Sequence, residues 1–145
     1  MRKSEFFSSQ RDFHSLTVGV VMEREVVSCR EEDTGKEIAS KLTHFNIGSL
    51  PVVDGSGKLV GLISEFDLLK VLMKGGGLDS VEAGEVMSKN LKVVQEDTPV
   101  EEAIRIFEAE YLIRMPVVNG GKLVGVLARR DILFGYIKAT NQYWP

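Results

Sequence analysis

Residue types that carry redox, disulfide or metal chemistry are scarce in this chain. One cysteine, Cys29, among 145 residues excludes an internal disulfide, as a reducing compartment favours. The two histidines, His14 and His44, stand in unlike contexts without metal-ligand spacing, so neither a metal site nor a histidine-based catalytic site is expected. No apolar run approaches the ~18 residues of a membrane span, and Met1–Phe7 has a charged start without the apolar stretch of a signal peptide; a cytoplasmic location is the expectation. Neither a Walker loop nor a dinucleotide fingerprint is present. Gly75-Gly76-Gly77 is followed by Leu78-Asp79-Ser80, which lacks the lysine of a phosphate-binding loop. A one-sided charge is missing too: 18 basic against 21 acidic residues leave −3, which argues against nucleic acid or an anionic membrane as partner.

What is present is a globular composition, 43% hydrophobic and 27% charged, organised as a repeat. Gly19-Val20-Val21-Met22 returns as Gly84-Glu85-Val86-Met87, and Pro51-Val52-Val53-Asp54 as Pro116-Val117-Val118-Asn119, both 65 residues on. Leu59-Val60-Gly61-Leu62 returns as Leu123-Val124-Gly125-Val126, and Asp67 as Asp131, 64 residues on; Thr34 and Thr98 are matched at 64 as well. Five blocks in one order identify a duplicated unit. The reading places an N-terminal flank at 1–15, a first repeat at 16–74, a glycine linker at 75–79, a second repeat at 80–137 and an aromatic C-terminal flank at 138–145.

Periodicity gives the elements of each copy. Ile38, Leu42 and Phe45, and likewise Val100, Ala103, Ile104 and Phe107, recur at helical spacing. Thr98-Pro99-Val100-Glu101 offers a hydroxyl cap and a first-turn proline. Short apolar strands follow, Leu50–Val53 and Met115–Val118, then the turns Asp54-Gly55-Ser56-Gly57 and Asn119-Gly120-Gly121. Returning strands Leu59–Ile63 and Leu123–Leu127 lead into second helices near Asp67 and Asp131. With opening strands at Val26-Val27 and Val93-Val94, each copy reads β-α-β-β-α, an α/β (α+β) fold.

These blocks, from about Leu16 to Ile137, resemble the CBS domain, the regulatory module named after cystathionine beta-synthase. The resemblance implies two repeats packed as a pseudo-two-fold symmetric pair. It also implies clefts between them that often bind AMP, ADP, ATP or S-adenosylmethionine. It implies a non-enzymatic module, with an adenine nucleotide as regulatory ligand and no cofactor required.

Site residues are carried over from the resemblance position by position. Asp67 and Asp131 would accept the two hydroxyls of a ribose, and the Ser64 hydroxyl would hold a phosphate or ribose oxygen. Gly61 would let a ligand approach the backbone. Ser-x-x-Asp at a helix start is equally a capping box, so both readings of Ser64 and Asp67 stay open; Ala128 has lost the hydroxyl in the second copy. Ser28, Ile47, Gly48, Leu112 and Ile113 match adenine-lining segments, with ordinary core as the competing reading for Ile47 and Leu112. Ser28 has Lys92 as its matched position in the second copy. Arg114, Arg129, Arg130 and Lys92 are candidate phosphate partners and favour an anionic ligand over S-adenosylmethionine. The aromatic flanks, Phe6, Phe7 and Phe13 with Tyr136, Tyr143 and Trp144, suggest either a homodimer contact or rings folded back on their own chain. A ligand-free scaffold with degenerate clefts, serving an effector protein, is the alternative function.

Overall fold

The computed structural model describes residues 12–140, so Phe6, Phe7, Tyr143 and Trp144 lie outside the described residues. The elements are α1 (Val18–Val21), α2 (Gly35–Phe45), β1 (Ser49–Val53), β2 (Leu59–Ser64), α3 (Glu65–Met73), α4 (Ala83–Val86), β3 (Val94–Gln95), α5 (Val100–Glu110), β4 (Arg114–Asn119), β5 (Lys122–Ala128) and α6 (Arg129–Ala139). Helices and strands are mixed along the chain, an α+β fold. Two 3-10 turns add Phe13–Ser15 and Leu78–Ser80.

The chain forms two compact units, and each draws on both repeats. Of the described residues, one contains 12–26, 92–120 and 124–140; the other contains 27–91 and 121–123.

In the unit holding the C-terminal elements, Leu16, Val18 and Met22 from the start of the chain share a core with Val94, Val100, Phe107, Met115, Val117 and Leu127. β3 pairs parallel with β4 through Val94↔Val117 and Gln95↔Val118, and β4 neighbours β5. The β4–β5 turn places Gly120 at φ 59° and Gly121 at φ 82°, the positive pair a two-residue hairpin needs. Phe13 and Tyr136 stack edge to face at 5.5 Å, so these two flank rings pack on one another.

In the other unit Ile38, Leu42, Leu50, Val52, Ile63 and Leu68 are joined in the core by Ala83, with Leu78, Val86 and Met87 packed against it. β1 and β2 pair antiparallel from Ser49↔Ser64, with a bulge at Val52/Val53. In the turn, Asp54 Oδ1 accepts from the N–H groups of Ser56 and Lys58 at 2.9 and 3.0 Å. This turn is one residue longer than Asn119-Gly120-Gly121, which accounts for the drift from 65 to 64 along the repeat. α3 stops in a Schellman motif: Gly76 N–H donates to the Val71 carbonyl and Gly75 N–H to that of Leu72, with Gly75 at φ 86°.

Three expectations are corrected. Thr98 is not a helix cap: Pro99 precedes α5, and the buried Thr98 hydroxyl accepts from Gln95 N–H at 3.0 Å. Asp33 does the same for Arg30 N–H at 2.9 Å. Thr98 therefore matches Asp33, and Thr34, which caps α2, matches Pro99; the register before the turn is 65 throughout. The opening strand at Val26-Val27 is also absent, reduced to a single parallel bridge, Cys29↔Val52. Finally, the bridge Cys29↔Val52 corresponds to Val94↔Val117, so the position matching Ser28 is Val93, not Lys92.

Candidate functional site

Each unit contains one strand-to-helix junction built from the residues singled out in the sequence. In the first repeat, Ser64 caps α3 with extended backbone. Its Oγ accepts from Asp67 N–H at 3.3 Å, while Asp67 Oδ2 accepts from Ser64 N–H at 2.8 Å and from Ser64 Oγ at 3.1 Å. The capping box is formed. Asp67 Oδ1 has no hydrogen bond among the described residues, so one carboxylate oxygen keeps its accepting capacity.

At the second junction Ala128 contributes no side-chain bond, and Asp131 Oδ2 accepts from Ala128 N–H at 2.8 Å. Burial holds the Asp131 carboxyl above its ordinary value; the backbone bond from Ala128 opposes this, Glu23 adds to it, and Arg114 and Arg130 draw it down. A half-buried carboxylate with one fixed and one unbonded oxygen can take a pair of hydroxyl donors.

The segments before the proline strands are fastened to the same junctions. The Gly48 carbonyl accepts from Glu65 N–H at 3.0 Å, and the Ile113 carbonyl from Arg129 N–H at 3.1 Å. Gly48 thus lies beside Ser64 and Asp67, and Ile113 and Arg114 beside Asp131. Ile47 and Leu112 pack partly buried against their cores, whereas Ile113 is 62% exposed. Ser28 is half-buried and its carbonyl accepts from Lys41 Nζ at 2.9 Å. Arg129 and Arg130 are exposed. Lys92 lies elsewhere: its Nζ is 3.9 Å from the Glu110 carboxylate, in a depression of about 400 Å³ lined also by Arg105 and Ile106.

The glycine reading is corrected. A Cβ on Gly61 would overlap the sulfur of Met87 and come within 2.9 Å of its Cγ; on Gly125 it would lie 2.7 Å from the Met22 sulfur and 2.8 Å from the Glu23 carbonyl. These glycines admit methionine side chains rather than a ligand. The sequence reading missed Glu23 and Ser88. Glu23 forms an antiparallel bridge with Val126, and Ser88 one with Leu62. The repeated Val-Met blocks immediately before them were the available signal.

The other polar candidates have structural explanations. His14 Nδ1 lies 3.1 Å from Glu101 Oε2, which raises its pKa, and His44 packs edge to face on Phe45 at 4.7 Å. The Cys29 thiol is buried and pushed up to about 11, by desolvation first and by Asp33 second, so it is no nucleophile at neutral pH. Among the described residues no group of His, Cys, Asp and Glu is placed to hold a metal ion, and no helix is long and apolar enough to cross a membrane.

Comparison with known proteins agrees with this architecture. Residues 18–74 and 83–138 each match the CBS domain family. An uncharacterized protein of Methanopyrus kandleri is 36% identical over 121 residues, 82% of this chain and 62% of that protein. Inosine-5'-monophosphate dehydrogenase of Methanocaldococcus jannaschii is 32% identical over 114 residues, 78% of this chain but 22% of the enzyme. The chain therefore spans less than two thirds of either relative. Among solved structures, CBSX2 in complex with AMP has a TM-score of 0.73 at 28% identity, covering 84% of this chain and 96% of that one. The CBS domain pair of protein MJ0100, in complex with 5'-methylthioadenosine and S-adenosyl-L-methionine, has a TM-score of 0.71 at 29% identity, covering 83% and 97%. The chain belongs to the CBS domain family, as a tandem pair of CBS domains.

Proposed function

We propose that this chain is a non-enzymatic regulatory module of the cytoplasm that binds an adenosine-containing ligand, with AMP, ADP or ATP favoured. Asp67 and Asp131 accept the ribose hydroxyls at the two strand-to-helix junctions, and the segments at Gly48 and Ile113 stand beside the base. Arg114, Arg129 and Arg130 receive phosphate. The observation that carries this reading is the half-buried Asp131, whose carboxylate has one oxygen fixed by Ala128 N–H and the other unbonded among the described residues, with Ile113 and Arg114 fastened alongside. The AMP-bound and methylthioadenosine-bound relatives support the ligand class. No nucleophile–base pair stands at either junction, which supports binding without turnover.

Ligand binding is transmitted to a homodimer contact or to an effector protein. The exposed apolar side chains of α3, Phe66 at 73% and Met73 at 87% exposure, support a protein contact there. Gel filtration that gave the 16.1 kDa monomer mass would count against the homodimer.

Isothermal titration calorimetry with AMP, ATP, NADH and S-adenosylmethionine tests the ligand, on wild type and on Asp67→Ala and Asp131→Ala. Heat from an adenine nucleotide, weakened about tenfold or more in at least one variant, is expected for a lost charge-assisted bond. Absence of heat from every adenosine compound at near-millimolar concentration sinks the sensor and favours a ligand-free scaffold. Binding of S-adenosylmethionine alone reassigns the ligand.

A further inference from the structure

The two junctions share a backbone plan but carry opposite charge. Four positions around the ribose-site aspartate show this. Glu23 lies opposite Val126 on β5, its N–H and C=O each bonded to Val126 at 2.9 Å; Ser88 stands in the same relation to Leu62 on β2, at 2.9 and 3.0 Å. β4 begins with Arg114 and β1 with Ser49. The first two residues of α6 are Arg129 and Arg130, and those of α3 are Glu65 and Phe66. At these positions the Asp131 junction carries Arg114, Arg129 and Arg130 against the carboxylates of Asp131 and Glu23, and Arg114 and Arg130 act on the Asp131 carboxyl. Around Asp67 there is no cation at these positions, and Glu65 adds a second carboxylate.

The geometry sharpens the contrast. Glu65 Oε1 would lie 3.4 Å from a Cβ on Gly48, so its negative charge hangs over the very segment proposed to meet the ligand. The Ser64 hydroxyl donates to Asp67 at 3.1 Å, so a phosphate there would compete with Asp67 for its one proton. Phe66 at the same junction is 73% exposed and offers an apolar face. At the other junction Arg114 and Arg130 both act on the Asp131 carboxyl, so their charges lie within reach of anything bound to it.

We infer that the two junctions sort adenosine compounds by charge: the Asp131 junction takes a phosphorylated one, and the Asp67 junction takes one without phosphate. This rests on the adenosine reading above. Like charge repels and opposite charge attracts, more strongly at the half-buried Arg114 than at the exposed Glu65, Arg129 and Arg130, and guanidinium groups match phosphate geometry.

The test is calorimetry on the full chain with AMP and with adenosine, in wild type, Asp67→Asn, Asp131→Asn and the double variant Arg114→Ser/Arg130→Gln. The amide variants keep the acceptor that caps each helix, and thermal melts verify folding. AMP binding is expected to be lost in Asp131→Asn and kept in Asp67→Asn, and adenosine binding the reverse. The arginine variant, which keeps both aspartates, is expected to weaken AMP about tenfold or more and to leave adenosine, held at the other junction, unchanged. An adenosine response that is absent, or that disappears with Asp131→Asn, overturns the sorting while the AMP response keeps the adenosine reading alive. AMP affinity unchanged in the arginine variant overturns it as well. Silence from both compounds overturns the underlying reading itself.

Discussion

Ionising Asp131 costs the folded state stability. Because burial is the largest cause of its raised pKa, the folded state favours the protonated acid more than the unfolded chain does. A carboxyl raised above its ordinary value of 3.8 contributes stability that is complete below that pH and is lost as pH rises through the folded value. Asp131→Asn keeps an oxygen for Ala128 N–H and removes the buried charge. The variant is expected to melt at or above the wild-type temperature at pH 7, with the gap closing as the pH is lowered toward 4. A clearly lower melting temperature at pH 7 would show that the charge stabilises the fold. Such a trade of stability for an unbonded acceptor suits a binding residue. Other single residues were less legible. Gly61 and Gly125 were visible as a repeated glycine, but which group fills the space beside them depends on the Met87 and Met22 sulfurs, and no local pattern places those.

At the scale of the element, the amphipathic helices and the two hairpins were readable, because helical period and turn chemistry are properties of neighbours in sequence. The opening strands were not. A two-residue strand such as Val94–Gln95 exists only through its partner β4, and at Val26-Val27 no partner is found among the described residues. The Thr34/Thr98 match failed for a related reason: a threonine before a helix serves equally as its cap or as the acceptor closing the preceding turn, and the proline after Thr98 decides for the turn. The helix starts also differ between the copies. Ser64 caps α3 with its side chain and Ala128 gives α6 none. Ala128→Ser is expected to raise stability by about 0.5–1 kcal/mol and Ser64→Ala to lower it by about 1 kcal/mol, measured by urea denaturation. Equal midpoints for wild type and both variants would show that Asp131 and Asp67 alone satisfy the helix ends.

The whole molecule is divided differently from its repeat. Leu16, Val18 and Met22 are buried with the elements that follow residue 92, and Ala83 with those that precede residue 74. A fragment beginning at Leu78 holds a full sequence repeat but lacks three side chains of its core. Burial of each is worth about 1.5–3 kcal/mol, together comparable to a domain's whole margin of ~5–15 kcal/mol. The fragment is expected to show no cooperative thermal transition by circular dichroism, whereas the complete chain does. A cooperative melt of the fragment would mean that the first 26 residues are dispensable to that core.

The repeat, the helices, the hairpins, the candidate carboxylates and the family resemblance could be determined from the sequence alone, because each rests on periodicity or on residues within one turn of each other. Tertiary structure decided which copy's leading segment completes which core, what occupies the space at the glycines, and that Glu23, Arg114 and Arg130 surround one aspartate while Ser88, Ser49 and Phe66 stand at the matching positions of the other. Those outcomes depend on which apolar surfaces bury one another and on which charges are thereby brought together across distant parts of the chain.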